Sequence, residues 1–310
     1  MTIQVSLIIP AHNESSRLAA GFGRVAPALE LIGDEHLEVI VIDDGSTDNT
    51  LEEAGRLYGH FSHTLILRQP TNLGKGAAIR LGMSVAQGSY VIAADADMAI
   101  DPVHFSEILK ALEDAHVAPG SRVLDGSIRY ESHLRTWAGA LFNRVVRHYT
   151  KTTLRDTQCG CKGYQTGAGR LIAILGLIDG FAFDAEVFYL AHQLGLTVSP
   201  VHVTWQDVAG SKVRVGRDSW QMLRDMLGLK KSPYENPVVE FSEDIDVEEL
   251  ARNAKQARVQ GLVIARGAND VLVVLPRDGS LGGLGIAAAM GGTLRLASLS
   301  ELKGRSYQAL

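Results

Sequence analysis

Short apolar runs alternate with stretches of helical periodicity through the first hundred residues. Helices are predicted from about Ser15, from the "STDNT" segment (46–50) and from about Gly76. Strand, helix and strand at this spacing indicate βαβ units, and therefore an α/β fold with a mostly parallel sheet flanked by helices. The predicted strands are "VSLIIP" (5–10), "LEVIVIDDG" (37–45), "TLILRQ" (64–69) and "YVIAAD" (90–95).

Polar residues follow three of these strands at the point where each strand ends. The segments are "PAHNE" (10–14), "DDGSTD" (43–48) and "DAD" (95–97). Because ligands bind beyond the carboxyl ends of parallel strands, all three segments are expected at one ligand-binding edge of the sheet.

Asp95 and Asp97 place two negative charges directly after an apolar run. If the strand extends through them, they point to the same face and can converge on a cation. Carboxylate oxygens favour Mg²⁺ or Mn²⁺, with phosphate oxygens and water completing the coordination. The alternative is a solvated turn with two capping aspartates.

The second polar segment allows two interpretations as well. Asp43 or Asp44 can accept hydrogen bonds from a nucleobase edge or a ribose hydroxyl, while Ser46 or Thr47 caps the next helix. The alternative is an Asp-Asp-Gly turn whose only role is to cap a helix.

The segments around residues 13 and 75 have the same ambiguity. Asn13 and Glu14 can cap a helix or contact a ribose. In "NLGKGAAIR" (72–80), Gly74 and Gly76 allow close approach of the backbone to a ligand, and Lys75 adds a positive charge. The segment lacks the spacing of a Walker A phosphate loop.

The composition changes near residue 232 and divides the chain. Residues 1–231 are expected to form the main α/β domain, and "SPYENP" with the acidic run after it predicts a linker over 232–245. Residues 246–310 are expected to form a small C-terminal α/β module, with a helix over 246–258 and a hairpin over 261–276. The role of this module is left open.

Charge is distributed unevenly along the 310 residues. The net charge of −5 argues against a nucleic-acid partner. Residues 127–170 nevertheless carry eight Lys or Arg against two acids, whereas 235–250 carry seven acids and no Lys or Arg. The basic-aromatic segment 133–151 predicts either a core-facing helix with a solvated basic face or a helix at an anionic bilayer surface.

The cysteines and the apolar runs indicate the cell compartment in which the protein is expected. Cys159 and Cys161 are too close together to brace a fold, and we interpret them as reduced thiols of a cytosolic protein. No apolar run approaches the ~20 residues of a membrane-spanning helix, and the N-terminus has no signal-peptide pattern. A cytoplasmic protein, peripheral at the cytoplasmic face of a membrane, is therefore expected.

The order of the motifs resembles a known family. The chain over about residues 3–231 resembles the family 2 inverting glycosyltransferases of the GT-A (Rossmann-like) fold, and within them the polyprenyl- or dolichyl-phosphate β-glucosyltransferases. The motifs are "SLIIPAHNE", "EVIVIDDGSTDNT", "NLGKGAAIRLGMSVAQGSYVIAADAD", "GSR", "DTQCGCKGY", "FAFDAEV" and "VTWQDVAGSKV".

This resemblance assigns roles to individual positions. It implies that Lys75 and Lys212 flank the donor phosphates, and that Arg122 and Arg135 hold the acceptor phosphate. Asp95, Ala96 and Asp97 become the donor and metal segment, with Mg²⁺ or Mn²⁺ as cofactor. The implied nucleotide-binding residues are Pro10, Ala11, Asn13, Glu14, Ile42 and Asp44.

Three positions depart from the family pattern. His12 stands where relatives commonly have an aromatic residue, and Cys161 replaces a residue that is usually Phe. Ala99 replaces the Gln that mannose synthases of this type often have two residues after the second Asp, and it cannot bind a metal. The third departure favours glucose over mannose.

The resemblance implies transfer of a hexose, with inversion, from a nucleotide-sugar donor to a polyprenyl or dolichyl phosphate. UDP-glucose is the expected donor, GDP-mannose the alternative, and a homo-oligomer is compatible with this function. For a soluble hydroxyl acceptor, Asp184 or Glu186 is the candidate base. A non-catalytic nucleotide-sugar sensor stays open, as does a sugar nucleotidyltransferase, although the glycine- and arginine-rich loop of the latter is missing.

Overall fold

The structure is a computed structural model of the chain. It describes residues 3–122, 144, 146–148, 150–206, 215–229, 236–242, 263–267, 270–275 and 293–309.

A seven-stranded sheet forms the centre of the main domain. Its order is β3-β2-β1-β4-β6-β5-β7; β1 to β4 run parallel, and β6 is antiparallel to both β4 and β5. The predicted α/β class is confirmed. The strands are β1 (Val5–Ala11), β2 (Leu37–Asp43), β3 (Thr64–Arg68), β4 (Tyr90–Ala94), β5 (Val117–Ser121), β6 (Cys161–Gln165) and β7 (Val201–His202).

Helices cover both faces of this sheet, so its central strands are apolar on both sides. In β1, Leu7 and Ile9 pack with α1, α2 and α4, while Ile8 packs on the opposite side with α3, α5 and α6. The helices are α1 (Ser15–Ile32), α2 (Thr50–Tyr58), α3 (Lys75–Val85), α4 (Phe105–Ala111), α5 (Thr166–Leu175), α6 (Phe183–Leu194) and α7 (Val215–Gly228).

The register of the parallel strands aligns their carboxyl ends. Ala11 pairs with Asp43, and β4, which pairs with β1, ends at Ala94. The segments 10–14, 43–48 and 95–97 therefore meet at one edge of the sheet, as their positions after the strands predict.

The C-terminal region forms a second sheet with only antiparallel pairs, in the order β11-β8-β10-β9-β12. The predicted hairpin is present as β9 and β10, and the predicted helix 246–258 lies outside the described residues. The elements are β8 (Asn236–Ser242), β9 (Val263–Arg266), β10 (Asp270–Val274), β11 (Thr293–Ala297), α8 (Leu299–Leu302) and β12 (Ser306–Ala309).

Strand β8 corrects the prediction of a linker over residues 232–245. It lies between β10 and β11, and Val238 is fully buried in the same apolar cluster as α5 and α6. The acidic composition suggested a solvated connection, but the apolar "VV" pair at 238–239 allows a strand that is hydrogen-bonded on both sides. The second sheet also packs on α5, where a Cβ atom at Gly167 would lie 2.5 Å from the Tyr307 carbonyl oxygen.

Within the part of the chain that the structure describes, none of the helices combines the length and apolar character needed to cross a bilayer.

Candidate active site

The turns after β1 and β2 are held together mainly by backbone groups. The Asp44 backbone N–H donates to the Ala11 carbonyl oxygen at 2.8 Å, and the Asn13 N–H donates to Ser46 Oγ at 2.9 Å. Asn13 adopts a positive φ of 53° and its Oδ1 accepts from the Thr47 N–H at 2.8 Å. Asn13 therefore joins the two turns.

These contacts correct the predicted helix caps. Helix α2 begins at Thr50, and its N-cap is Asn49, so neither Ser46 nor Thr47 caps it. The N-cap of α1 is Glu14, whose side chain makes no capping hydrogen bond. Polar groups that suit a cap serve here to fix one turn against the other.

Both carboxylate oxygens of Asp44 bind the loop before α3. Its two carboxylate oxygens accept from the backbone N–H groups of Leu73 and Gly74, at 2.7 and 2.9 Å, and only 4% of the residue is exposed. Burial raises the pKa of Asp44, although these two hydrogen bonds oppose the shift. Asp44 thus orders the Lys75 loop, and contact with a nucleobase stays a prediction.

The remaining residues assigned to the nucleotide lie where those turns begin. Pro10 pairs with Ile42 across β1 and β2, and both Ala11 and Ile42 are buried, so they offer a ligand mainly their backbone. His12 Nδ1 lies 2.8 Å from the Asp44 carbonyl oxygen. The position of His12 is therefore tied to the second turn.

Asp95 and Asp97 do not share a strand face, because β4 ends at Ala94 and a turn begins there. Met98, in this turn, has a positive φ of 46°. Asp95 lies 2.8 Å from Lys75 Nζ, whereas Asp97 contacts the guanidinium of Arg17 on α1. The turn therefore gives each carboxylate a different cationic partner.

The surroundings of Asp95 fit a cation bound by carboxylate oxygens. The Asp95 side chain is 41% exposed, and Oδ2 faces Gly160, where a Cβ atom would lie only 1.9 Å away. The absence of a side chain at Gly160 thus allows the Asp95 carboxylate to take this position. The described residues contain no group of three or more metal-binding side chains, so a cation here would need oxygens from the ligand as well.

Lys75 lies between two carboxylates at the start of α3. Its Nζ is 2.8 Å from Asp95 Oδ1 and 3.5 Å from Asp184 Oδ2. Burial by itself lowers the pKa of Lys75, but Asp184 and Asp95 outweigh it and raise the pKa above its usual value. Lys75 is therefore a permanent positive charge at the edge of the sheet.

The glycines beside Lys75 serve close packing within the protein. A Cβ atom at Gly74 would lie 2.5 Å from the Asp179 carbonyl oxygen, and one at Gly76 would lie 2.4 Å from that of Ile178. The close backbone approach predicted for these glycines is thus made to the segment before α6.

The two acidic residues of α6, Asp184 and Glu186, have different roles. Glu186 is fully buried and accepts from the backbone N–H groups of Leu177 and Ile178, at 2.8 and 3.0 Å, which makes it structural. Asp184 contacts Lys162 at 2.6 Å as well as Lys75. Burial alone raises the pKa of Asp184, but the two lysines outweigh it and lower the pKa, which makes a poor general base.

Arg122 is held by Asp156. The guanidinium donates from Nε and Nη2 to the two oxygens of that carboxylate, at 2.7 and 2.8 Å. Arg122 also lines a pocket with Asp95, Gln158 and Trp205. Its role with an acceptor phosphate stays a prediction, and Arg135 and Lys212 lie outside the described residues.

Cys159 and Cys161 are buried free thiols, as expected from their spacing. Burial raises the pKa of both, which keeps them protonated at neutral pH. In the described part of the basic-aromatic segment, Val146 is buried while Arg144 and Arg147 are exposed. This arrangement agrees with a helix that has a basic outer face and does not test a bilayer contact.

The sequence reasoning missed three residues that the fold brings to the site. Arg17 contacts Asp97, Lys162 contacts Asp184, and Asp156 holds Arg122. Arg17 lies three residues after Glu14, a spacing that puts both on one helical face. Lys162 and Asp156 both stand within or beside the "DTQCGCKGY" motif, but only the sheet register shows what they contact.

The acidic turns and the ion-paired Lys75 lie together at the carboxyl edge of the parallel strands, which is where α/β enzymes bind their ligands. A family model described as "Glycosyl transferase family 2" matches residues 6–169. The chain belongs to glycosyltransferase family 2 and is a glycosyltransferase.

Three relatives of the chain share one name. The chain is 33% identical over 240 residues to a dolichyl-phosphate beta-glucosyltransferase of Drosophila melanogaster, covering 73% of this chain and 74% of the relative. It is 33% identical over 248 residues to the Mus musculus protein of the same name, covering 74% and 75%. The Saccharomyces cerevisiae protein of that name is 29% identical over 249 residues, covering 74% of each chain.

Solved structures share the fold at lower identity. Glucosyl-3-phosphoglycerate synthase from Mycobacterium tuberculosis with UDP aligns at a TM-score of 0.56 and 17% identity, covering 78% of this chain and 85% of that one. The same enzyme with Mn²⁺ and UDP-glucose aligns at 0.53 and 18%, covering 78% and 83%. The GT-A-type fold expected from the motifs is confirmed.

Proposed function

We propose that the protein transfers glucose from UDP-glucose to a dolichyl or other polyprenyl phosphate, with inversion at the anomeric carbon. The observation that carries this proposal is the one-third identity to dolichyl-phosphate beta-glucosyltransferases, extending over about three quarters of both chains. GDP-mannose is the weaker alternative donor, because Ala99 replaces a metal-binding type of side chain.

The reaction is a direct displacement. An oxygen of the lipid phosphate attacks C1 of the α-linked sugar, the bond from C1 to the diphosphate breaks, and UDP leaves with that electron pair. A phosphate monoester with a second pKa near 6 is largely dianionic at neutral pH, so the nucleophile needs no general base. This fits the engagement of Asp184 by Lys162 and Lys75.

The main task of the chain is then to position two anions and to stabilise the leaving diphosphate. Lys75 supplies positive charge at the sheet edge, and Lys212 is expected to supply a second positive charge to the same diphosphate. Asp95 and Asp97 would hold Mg²⁺ or Mn²⁺, which would neutralise the developing diphosphate charge when bound.

The basic-aromatic segment 133–151 is the proposed binding region for the acceptor. Arg135 and the other basic residues of the segment 133–151 would meet the lipid phosphate at a membrane surface, where each Lys or Arg adds about 1 kcal/mol on an anionic bilayer. We infer a location at the cytoplasmic face of a membrane, with the protein peripheral to it.

The test is transfer of label from a donor into a lipid extract. The purified protein is incubated with Mn²⁺, a short polyprenyl phosphate, and radiolabelled UDP-glucose or GDP-mannose in parallel. We expect organic-phase label from UDP-glucose, and none with the Asp97→Ala variant. Label from GDP-mannose alone would show that the donor is GDP-mannose and not UDP-glucose. UDP-glucose binding without turnover on lipid or soluble acceptors would favour a nucleotide-sugar sensor.

A further inference from the structure

A row of four alternating charges connects the sheet edge to the protein interior. It runs from Asp95 through Lys75 and Asp184 to Lys162, with separations of 2.8, 3.5 and 2.6 Å. Asp95 is partly exposed, whereas Lys162 is only 2% exposed, so the row leads from the pocket into the core. The proposed reaction uses neither Asp184 nor Lys162, and Lys162 lies at the buried end of the row.

Lys162 is a buried lysine with a complete set of partners. It lies on β6 in register with Ala93 of β4. Its Nζ donates to the Cys159 carbonyl oxygen at 2.6 Å and lies 5.8 Å from the centre of the Phe188 ring. A buried ammonium is costly unless such partners compensate it, and the partner of opposite charge is Asp184.

The distances from Asp184 to its two lysines are unequal. Asp184 lies 0.9 Å closer to Lys162 than to Lys75 (3.5 against 2.6 Å), while Lys75 is closer to Asp95 than to Asp184. A buried carboxylate needs a positive charge beside it. Because Lys162 meets that need from the interior, Lys75 remains directed to the pocket edge.

We propose that Lys162 is a positioning residue, which occupies Asp184 and thereby keeps the Lys75 ammonium at Asp95, where a donor diphosphate binds. The inference rests on the proposed function for the identity of the ligand, but not for the position of Lys75. Without Lys162, Asp184 would draw Lys75 inward, away from the diphosphate.

The experiment compares UDP binding by isothermal titration in wild type, Lys162→Met and Lys162→Met/Asp184→Asn. A lost charge-assisted contact to phosphate corresponds to about 10- to 100-fold weaker binding. We expect this loss for UDP in the single variant and recovery in the double variant, because the neutral Asn no longer attracts Lys75. Binding of uridine, which has no phosphate, is expected to stay unchanged, and Lys110→Met on α4 is the exposed control.

Several outcomes would overturn the proposal. If Lys162 only fills the core, the single variant loses thermal stability but keeps its UDP affinity, or the double variant binds UDP as weakly as the single one. If Lys162→Met does not fold, the double variant decides: wild-type UDP affinity supports the proposal, and a tenfold loss contradicts it.

A crystal structure of the ligand-free variant separates this inference from the proposed function. Movement of Lys75 Nζ to Asp184, beyond the ~4 Å ion-pair limit from Asp95, supports the inference even if wild type binds no UDP. Lys75 remaining on Asp95 would refute it. Failure of wild type to bind UDP or to label lipid would count against the proposed function alone.

Discussion

The two ends of the candidate site are built from the same residue types but by different means. At the β1–β2 end, Asn13, Asp43 and Asp44 accept hydrogen bonds from backbone or hydroxyl groups of the turns, and Asp43 Oδ2 also lies 3.4 Å from Arg68 Nε. At the β4–β6 end, Asp95, Asp97 and Asp184 each contact a lysine or arginine. The first end fixes loop shape, and the second sets the local electric field.

Substitutions at the two ends should therefore have different effects. A carboxylate bound by backbone N–H groups determines where the chain lies, so its loss alters folding and the proposed nucleotide pocket together. A carboxylate in an ion pair can leave its lysine or arginine and bind a metal cation instead. Its loss therefore alters the rate of the reaction before it alters folding.

The largest effect is expected at Asp97. Asp97→Ala removes a carboxylate of the proposed metal segment and leaves Arg17 without that partner, so turnover should fall by about 10³-fold or more. Initial rates of glucosyl transfer measure this, with Asp114→Asn, an exposed carboxylate of the surface, as the matched control. Residual activity above a tenth of that of wild type would show that the reaction does not need the Asp97 carboxylate.

Gly160→Ala tests the same end without removing a charge. The added methyl group would lie 1.9 Å from Asp95 Oδ2, so this carboxylate must move, and turnover should fall by about 10- to 100-fold. The control is Gly55→Ala in α2, where a Cβ atom meets nothing within 4 Å and stability should rise by up to about 1 kcal/mol. Equal rates in both variants would show that the position of Asp95 is unimportant.

Asp44→Asn tests the end built on backbone contacts. An amide has one acceptor oxygen, so one of the Leu73 and Gly74 N–H groups loses its partner. The free energy of unfolding should fall by about 1–3 kcal/mol, and KM for UDP-glucose should rise more than kcat falls. Denaturant unfolding and steady-state kinetics measure the two effects; a pure kcat loss at unchanged stability would contradict the division.

The smallest effect is expected at Asp48, through pH. Hydrogen bonds from Thr50 and Ser15, opposed by burial, lower the pKa of Asp48 to about 2. Since the folded pKa lies below the unfolded value of 3.8, Asp48 stabilises the fold above pH 4, and this contribution disappears as the pH falls to about 2. The stability gap between wild type and Asp48→Asn should close over that range, and a constant gap would contradict it.

Most of the main domain could be predicted from residue pattern alone. The alternation of apolar strands and amphipathic helices predicted β1 to β4 and α1 to α3, because their periodicities are local. The convergence of 10–14, 43–48 and 95–97 followed from parallel topology. Strand β8 was missed because its acidic neighbours concealed a strand whose stability comes from partners on both sides.

What the sequence determined by itself was the inventory of the site: the fold class, the sheet edge, the family and the acidic and basic residues of each turn. The tertiary structure alone decided which charge meets which, because Lys75, Lys162 and Asp184 lie on three separate elements, α3, β6 and α6. The energy of an ion pair depends on distance and burial, and packing sets both. Residue type and spacing therefore predicted the chemistry of the site, while packing assigned its partners.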